Sequence, residues 1–213
     1  MSELNQGLAA LTGELGVPQD VSDLITRELR ELERAGTARG LSVGDDAPGF
    51  QLPDATGRPH RLSELLRDGP VVLVFYRGEW CPYCNLTLRT WQERLGDLTS
   101  AGGRLVAVSP QQPSNALSIS EKHQLAFPVL SDETQDVIRS YRLHYDVPPA
   151  LKDVYGNAWG LDLTQQTADG SWSLPVPGTF VVDRDQRIRF AFASADYRIR
   201  AEPDDVVAAL RSL

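Results

Sequence analysis

The sequence predicts an α/β protein with a mixed central sheet that is flanked by helices and preceded by an N-terminal helical extension. Apolar runs rich in β-branched residues, at 71–76 and 105–109, are typical of strands covered on both faces. Segments with helical periodicity alternate with these runs, and two later strands on either side of a polar turn at 184–186 indicate a hairpin. An alternation of strands and helices that is followed by a hairpin places parallel and antiparallel strands in one layered sheet.

We divide the chain into a helical extension, residues 1–40, and one domain, residues 41–213. In the extension, apolar residues recur at helical spacing from Val21 to Ala35, and Gly36 then ends the predicted helix. The extension shows no catalytic signature. We therefore expect its apolar face to pack on the domain or on a second subunit of a homodimer.

Turn-forming residues dominate positions 44–59, and the other elements of the domain follow them. We predict, in order, a short helix at 63–66, a strand at 71–76, a helix from 86 to 98, a strand at 105–109, a helix at 114–123, a strand at 127–130, a helix at 133–141, a hairpin of strands 179–183 and 188–192, and a helix at 203–213. Residues 144–173 contain two prolines and several glycines, and we predict a loop-rich insertion or a mobile rim there. This order of elements is thioredoxin-like.

The composition excludes several classes of function. The 213 residues carry a formal net charge of −8, which argues against the clustered positive surface that nucleic acid or an anionic membrane requires. The longest apolar run has the length of a strand, far short of the roughly 20 residues that span a bilayer. Residues 1–16 lack the basic and apolar regions of an export signal. With two cysteines, we expect a cytoplasmic protein rather than a secreted disulfide scaffold.

The two cysteines form the sharpest motif, Cys81-Pro82-Tyr83-Cys84, directly after a buried strand. This spacing puts the first sulfur at a helix N-terminus and the second sulfur one turn later on the same face. Pro82 fits the first helical position, where its missing N–H costs nothing. Because the helix N-terminus stabilises negative charge, we predict a lowered pKa for Cys81 and assign it as the nucleophile. Cys84, more buried, suits a resolving role.

The cysteine pair has three other possible interpretations. A structural disulfide would close a loop of only two residues and would constrain little of the unfolded chain. A zinc site would need a second ligand pair, and the three histidines are scattered along the chain. Inert buried cysteines are the third alternative. Redox thiol chemistry is favoured, and we expect no cofactor and no metal.

Several stretches carry a family resemblance: Gly44-Asp45-x-Ala47-Pro48-x-Phe50-x-Leu52-x-Asp54-x-x-Gly57, the strand from Val71 to Tyr76, Gly78-x-Trp80-Cys81-Pro82-Tyr83-Cys84-Asn85, and Asp196-Tyr197-x-x-Arg200-x-Glu202-Pro203. Together they resemble the peroxiredoxin-like branch of the alkyl hydroperoxide reductase and thiol-specific antioxidant (AhpC/TSA) family. The resemblance implies a thioredoxin fold and the reduction of hydrogen peroxide or organic hydroperoxides by Cys81 through a sulfenic acid. It also implies recycling by thioredoxin or a similar dithiol donor.

Two departures from the family pattern stand out. Typical peroxiredoxins place a proline seven residues and a Thr or Ser three residues before the peroxidatic cysteine, where this chain has Val74 and Gly78. They place an arginine before a Gly-x-Phe strand, where this chain has Pro177. Pro177 resembles instead the cis-proline of thioredoxin-like oxidoreductases, which lies opposite the cysteine pair and takes an extended partner strand. A trans proline at an ordinary strand start is the alternative.

An arginine near the pair would supply the charge that the family pattern provides and that this chain lacks at position 177. Arg77, four residues before Cys81, is our candidate for stabilising the thiolate and orienting a peroxide oxygen, with a solvated loop side chain as the alternative. Arg198 and Arg200 are substitutes of the same kind. Around the sulfurs we predict a groove for substrate or partner, formed by Trp80, Pro82, Tyr83, Pro177 and Thr179.

Three functions remain open from the sequence. The first is a thiol peroxidase in which a Cys81 sulfenic acid condenses with Cys84 to a disulfide. The second is a disulfide oxidoreductase that exchanges disulfides with protein partners through the same pair and the groove at Pro177. The third is a redox sensor whose oxidised and reduced forms bind a partner differently. The missing hydroxyl and arginine favour the second, whereas the motif resemblance favours the first.

Overall fold

The structure is a computed structural model that describes residues 3–213. Its helices are α1 (Glu3–Glu14), α2 (Gln19–Arg34), α3 (Leu62–Leu65), α4 (Pro82–Glu93), α5 (Leu95–Ser100), α6 (Pro113–His123), α7 (Asp136–Ser140), α8 (Pro149–Asp153) and α9 (Pro203–Arg211). Its strands are β1 (Gln51–Pro53), β2 (Pro59–Arg61), β3 (Val71–Phe75), β4 (Arg104–Ser109), β5 (Val129–Ser131), β6 (His144–Asp146), β7 (Ser173–Pro175), β8 (Gly178–Val182) and β9 (Ile188–Ala193). Among these residues, none of the helices has the length and apolar character needed to cross a membrane.

Five strands form the central sheet in the order β5-β4-β3-β8-β9. The three strands β3, β4 and β5 are parallel, whereas β8 runs antiparallel to β3 and β9 antiparallel to β8. Every residue of β3 and β8 is buried, as an unbroken apolar run requires when helices cover both faces. The predicted mixed sheet and the late hairpin are therefore confirmed.

The segment that we predicted as a loop-rich insertion is instead folded. It contains β6, α8, a π-helical turn at Val154–Ala158, a 3₁₀ turn at Leu163–Gln165 and β7, which pairs antiparallel with β6. Leu151, Tyr155 and Leu163 are buried. The prediction was wrong because each element has only three to five residues, too few for a periodicity to be read from the sequence.

The N-terminal extension packs on the domain. The predicted helix at 21–35 is present as α2, and α1 is a further helix that the sequence reading did not identify. Leu4 and Leu8 of α1 and Ile25 and Leu29 of α2 are buried in the same apolar core as the sheet. α1 lies against α4, the helix that begins just after Cys81, so the extension reaches the region of the cysteines.

Candidate active site

The turn from β3 to α4 places the two cysteines. Cys81 occupies the N-cap of α4 in an extended conformation, Pro82 takes the first helical position, and Cys84 lies in the first turn. This is the arrangement that the sequence predicted. Gly78, in the preceding loop, has φ +151°, and a Cβ there would lie 2.9 Å from the Gln111 side chain and closer still to the Trp80 indole. The Thr or Ser that the family pattern places here would therefore not fit.

The two cysteines differ in their access to a cavity. Both cysteines are buried and free, with 1% of Cys81 and none of Cys84 exposed. Cys81 nevertheless lines a cavity of about 300 Å³, and Cys84 is not among the residues that line it. The lining consists of Leu15, Val17, Arg77, Trp80, Cys81, Pro82, Tyr83, Trp159, Leu161 and Tyr197. A small molecule in this cavity meets Cys81 first.

A buried arginine stands beside each sulfur. Arg77 is 2% exposed, and its Nη1 lies 4.0 Å from Cys81 Sγ, while its Nη2 donates to the Tyr155 hydroxyl. The Arg77 guanidinium also lies 4.1 Å from the centre of the Tyr197 ring, within the range of a cation–π contact. Arg77 is therefore not a solvated loop side chain. Arg200 is also buried, and its Nη2 lies 3.8 Å from Cys84 Sγ.

Neither of these guanidiniums has an ion pair with a carboxylate among residues 3–213. Arg200 Nη1 donates instead to the backbone carbonyls of Tyr197 and Ile199. Arg198, the other substitute that the sequence suggested, does not line the cavity and pairs with Asp196 at 2.8 Å. Because a buried charge requires an opposite charge nearby, a thiolate on the cysteine pair is the natural counter-ion of both arginines.

The thiols are hydrogen bonded to each other and titrate as a pair. Burial opposes the Cys84 thiolate, but the hydrogen bond from Cys81 and the charges of Arg200 and Arg77 outweigh burial and lower the pKa of Cys84 to about 5. Burial and the adjacent Cys84 raise the pKa of Cys81. The predicted lowering at Cys81 is therefore wrong for the dithiol form, because the sequence could not reveal that Cys84 faces Arg200. At neutral pH the pair holds one thiolate and one proton.

Aromatic side chains form one wall of the cavity. Trp159 stacks on Tyr155 with ring centres 5.2 Å apart, and Trp80 lies 6.2 Å from Tyr155. The Tyr83 hydroxyl lies 3.1 Å from Thr12 Oγ1 of α1, so this side chain links the cavity to the extension. Burial raises the pKa of Tyr155, which stays neutral at physiological pH. Trp80, Pro82 and Tyr83 thus lie where the predicted groove required them.

Pro177 and Thr179 do not lie on the cavity. Both are buried, and Thr179 pairs with Val74 inside the sheet. The chain has no cis peptide bond within residues 3–213, so the likeness of Pro177 to a cis-proline is wrong. The neighbouring backbone is already paired within the chain, since the Val176 N–H donates to the Leu143 carbonyl at 2.7 Å. An extended partner strand therefore finds no free edge there.

Sequence reasoning missed five residues of the lining, including Tyr197 of the stretch before α9. Leu15 and Val17 follow α1, and Trp159 and Leu161 belong to the segment that was predicted as a loop. The proximity of Trp159 to Tyr155 in sequence was the one available signal, because aromatic residues four apart share a helical face. Nothing in the local sequence of Leu15 and Val17 relates them to cysteines more than 60 residues away.

Known proteins are similar to this chain in both sequence and fold. The AhpC/TSA family model matches residues 43–191. A curated relative from Mycobacterium tuberculosis is 31% identical over 76% of this chain and 88% of its own length. Peroxiredoxin Bcp of Escherichia coli K12 is 28% identical over 71% of this chain and 85% of its own length.

Among solved structures, the crystal structure of peroxidoxin BcpB from Mycobacterium tuberculosis is similar, with a TM-score of 0.64 and 25% identity. The match covers 81% of this chain and 98% of that one. The residues that the family model matches contain both cysteines and the strand that precedes them. With a family model that covers most of the domain and with relatives that span most of their own length, the chain belongs to the AhpC/TSA family, as a thiol peroxidase of the peroxiredoxin type.

Proposed function

We propose that this chain reduces hydroperoxides with Cys81 as the attacking sulfur and Cys84 as the resolving sulfur. The observation that carries this assignment is the pair's asymmetry: Cys81 faces the cavity, whereas Cys84 lies behind it against Arg200. The proton of the pair moves along the S–H···S hydrogen bond, so the thiolate reaches Cys81 although Cys84 has the lower pKa in the dithiol.

The chemistry proceeds in two steps. The Cys81 thiolate attacks the terminal oxygen of the peroxide, an S–O bond forms as the O–O bond breaks, and the departing alkoxide or hydroxide takes a proton from solvent. Cys84 then attacks the sulfur of the Cys81 sulfenic acid, and an S–S bond forms as water leaves with the Cys84 proton. The peroxide gains two electrons and the dithiol becomes a disulfide.

Arg77 supplies the activation that the missing hydroxyl would otherwise give. Its guanidinium lies 4.0 Å from Cys81 Sγ and is held by Tyr155, so it can donate to a peroxide oxygen placed against the sulfur. A fixed cation next to the breaking O–O bond stabilises the charge that develops on the leaving oxygen. Arg200 keeps the thiolate of the pair available from the opposite side.

A thioredoxin-type dithiol donor reduces the Cys81–Cys84 disulfide, in a reducing cytoplasm. The chain functions as one domain, residues 41–213, preceded by the helical extension, residues 1–40, of which the described part, residues 3–40, packs beside the cavity. Peroxide is the substrate, and no cofactor takes part because both electrons come from the two sulfurs.

Rapid mixing of the reduced protein with hydrogen peroxide, followed by mass spectrometry of Cys81, tests the proposal. We expect sulfenic acid or disulfide to form much faster than a free thiol oxidises at the same pH. A rate equal to that of the free thiol would refute the peroxidase. The Cys84→Ser variant should complete one peroxide reduction and then fail to be recycled by thioredoxin, and unchanged recycling would remove Cys84 from the mechanism.

A disulfide oxidoreductase, the second function that the sequence left open, gains no support from the geometry. The sequence placed the partner strand of such an enzyme at Pro177, but the Val176 N–H beside it already donates to the Leu143 carbonyl. The cavity suits a small peroxide. The redox sensor remains a hypothesis that needs a partner to be tested.

A further inference from the structure

The two buried arginines carry more positive charge than the cysteine pair can balance. Arg77 and Arg200 bring two guanidinium charges to the sulfurs, whereas the reduced pair holds one thiolate. In the reduced pair the thiolate lies on Cys84, which has the lower pKa, so the sulfur beside Arg77 carries the proton. A disulfide between the two sulfurs carries no charge at all. Arg77 is therefore a buried cation whose neighbouring sulfur, that of Cys81, is neutral in both states.

The aromatic side chains around Arg77 do not neutralise it. The carbon at the centre of its guanidinium lies 4.8, 5.6 and 4.1 Å from the ring centres of Trp80, Tyr155 and Tyr197. Aromatic rings attract a cation through their electron-rich faces, but they carry no net charge. Burial raises the pKa of Tyr155 and of Tyr197, so neither phenol is an anion at physiological pH.

Part of the Arg77 guanidinium also has no hydrogen-bond acceptor. Its Nη2 donates to the Tyr155 hydroxyl, whereas its Nε is buried and has no hydrogen-bond partner among residues 3–213. The carboxylate nearest in sequence, that of Glu79, accepts instead from the Asn115 amide at 2.7 Å. Buried charges are normally paired and their donors satisfied. Arg77 can therefore take one more acceptor, and that acceptor is best an anion.

Arg77 presents this charge to a cavity that admits an organic ligand. The cavity encloses about 300 Å³, which is at the lower end of the volumes of such sites. Among the described residues that line it, Arg77 is the one side chain with a permanent charge. Most of the others are apolar or aromatic, including Leu15, Trp159 and Leu161. A ligand that complements this lining has one negative group and an apolar body.

We propose that the cavity is a binding site for a small organic carboxylate, which pairs with Arg77 and lays its hydrocarbon group against the apolar lining. The planar fork of a guanidinium matches the two oxygens of a carboxylate. The ligand needs no peroxide bond, so this site goes beyond the proposed reduction of peroxide. Because the disulfide has no thiolate to compete for Arg77, the oxidised protein binds the carboxylate more tightly than the reduced protein does.

Isothermal titration calorimetry of the disulfide form tests the site without any peroxide. The protein is oxidised with diamide, and phenylacetate is compared with phenylacetamide, which has nearly the same shape and no charge. We expect phenylacetate to bind about tenfold more tightly or better, since hydrogen bonds to a charged group change an equilibrium by about 10- to 100-fold. Equal affinities would show an apolar pocket without an anion site, and absence of binding by both ligands would refute the site.

Two variants identify the cation. Arg77→Met removes the charge and should abolish the preference for phenylacetate over phenylacetamide. The matched control, Arg89→Met on the exposed face of α4, should leave that preference unchanged. A preference that survives in Arg77→Met would overturn the assignment. The comparison of the two ligands on the wild type decides the question even if Arg77→Met does not fold.

The dependence on oxidation state gives an independent test. A ligand that prefers the disulfide form must, by thermodynamic linkage, raise the share of that form. The thiol–disulfide equilibrium of the pair is measured in glutathione buffers with and without saturating phenylacetate. We expect phenylacetate to raise the ratio of disulfide to dithiol about five- to tenfold and phenylacetamide to leave it unchanged. A ratio that phenylacetate lowers or does not change would overturn the competition between thiolate and carboxylate.

These measurements also separate the site from the peroxidase. A protein that binds phenylacetate through Arg77 but reacts with hydrogen peroxide no faster than a free thiol keeps the carboxylate site and loses the peroxidase. Fast reduction of hydrogen peroxide without binding of phenylacetate keeps the peroxidase and refutes the carboxylate site.

Discussion

The middle of the chain and its two ends contribute different things to the active site. Residues 43–191, which the AhpC/TSA model covers, hold both sulfurs and Arg77 on the turn between β3 and α4. The ends supply part of what surrounds the sulfurs: Leu15 and Val17 from the extension, and Tyr197 and Arg200 from the stretch before α9. The comparison teaches that the family core positions the nucleophile, while the ends set the charge on the second sulfur and the shape of the cavity.

The two ends are joined to each other as well as to the core. The Glu202 carboxylate accepts from the backbone N–H groups of Leu4 and Asn5 at 3.2 and 2.8 Å, at the first turn of α1. Asn5 Oδ1 in turn accepts from the backbone N–H of Arg200 at 3.0 Å. These hydrogen bonds therefore connect the arginine beside Cys84 to the first turn of α1.

Removal of Arg77 should have the largest effect on catalysis, because Arg77 is the charged residue within 43–191 that faces the cavity. We expect Arg77→Met to slow the oxidation of Cys81 by about 10- to 100-fold, the value of a hydrogen bond to a charged group of about 1.5–3 kcal/mol. Stopped-flow measurement with hydrogen peroxide checks this.

Arg77→Lys should recover part of the rate, because it keeps the charge and loses the planar fork of donors. Arg89→Met, on the exposed face of α4, is the control and should leave the rate unchanged. A normal rate in Arg77→Met would show that residues 43–191 only position the two sulfurs and that the activating charge comes from Arg200.

Removal of Arg200 should act on ionisation instead of on the peroxide. The charge of Arg200 helps to hold the pKa of Cys84 near 5, so Arg200→Met should raise the pH at which the pair loses its first proton. The rate of thiol alkylation as a function of pH measures this midpoint. In acid we expect the alkylation rate to fall about tenfold, the effect of losing a contact worth about 1.5 kcal/mol. This difference from the wild type should disappear as the pH rises. An unchanged midpoint would mean that the end of the chain contributes no charge to the pair.

The same pKa shift predicts how the stability of the reduced protein depends on pH. The pKa of Cys84 falls from its ordinary 9.0 to about 5 on folding. Between these values the unfolded chain holds one more proton on the pair than the folded chain, so the unfolding free energy should rise with pH from about 5 to 9. Urea unfolding of the wild type and of Cys84→Ala at several pH values tests this. The variant should show a shallower slope, and equal slopes would contradict a thiolate in the folded pair.

The sequence predicted the core of this site and not its surroundings, for a physical reason. A strand, a proline and two cysteines three residues apart interact locally, so their order alone places Cys81 at the start of α4. Arg200 lies 116 residues from Cys84, and the fold of the whole chain brings them together. For this reason the sequence did not reveal that Arg200 lowers the pKa of Cys84. Residues 144–173 were missed because their short elements are stabilised by burial of residues such as Leu151, which leaves no local periodicity.

The smallest effect is expected at the contact that joins the two ends. Glu202→Gln keeps an oxygen acceptor but removes the negative charge at the first turn of α1, where a carboxylate is worth about 0.3–1 kcal/mol. Thermal unfolding should therefore shift downward by about 1–4 °C, and Glu93→Gln on the exposed face of α4 should not shift it.

Two local measurements separate the effect of Glu202→Gln on the extension from its effect on Arg200. If the ends form one unit, limited proteolysis of Glu202→Gln should cut the α1–α2 connection faster than in the wild type, and the midpoint of thiolate formation should rise slightly because Arg200 loses its anchor through Asn5. Faster cleavage with an unchanged midpoint would show that the extension and Arg200 are held separately. The extension would then affect the shape of the cavity and leave the charge of the pair to Arg200 and the core.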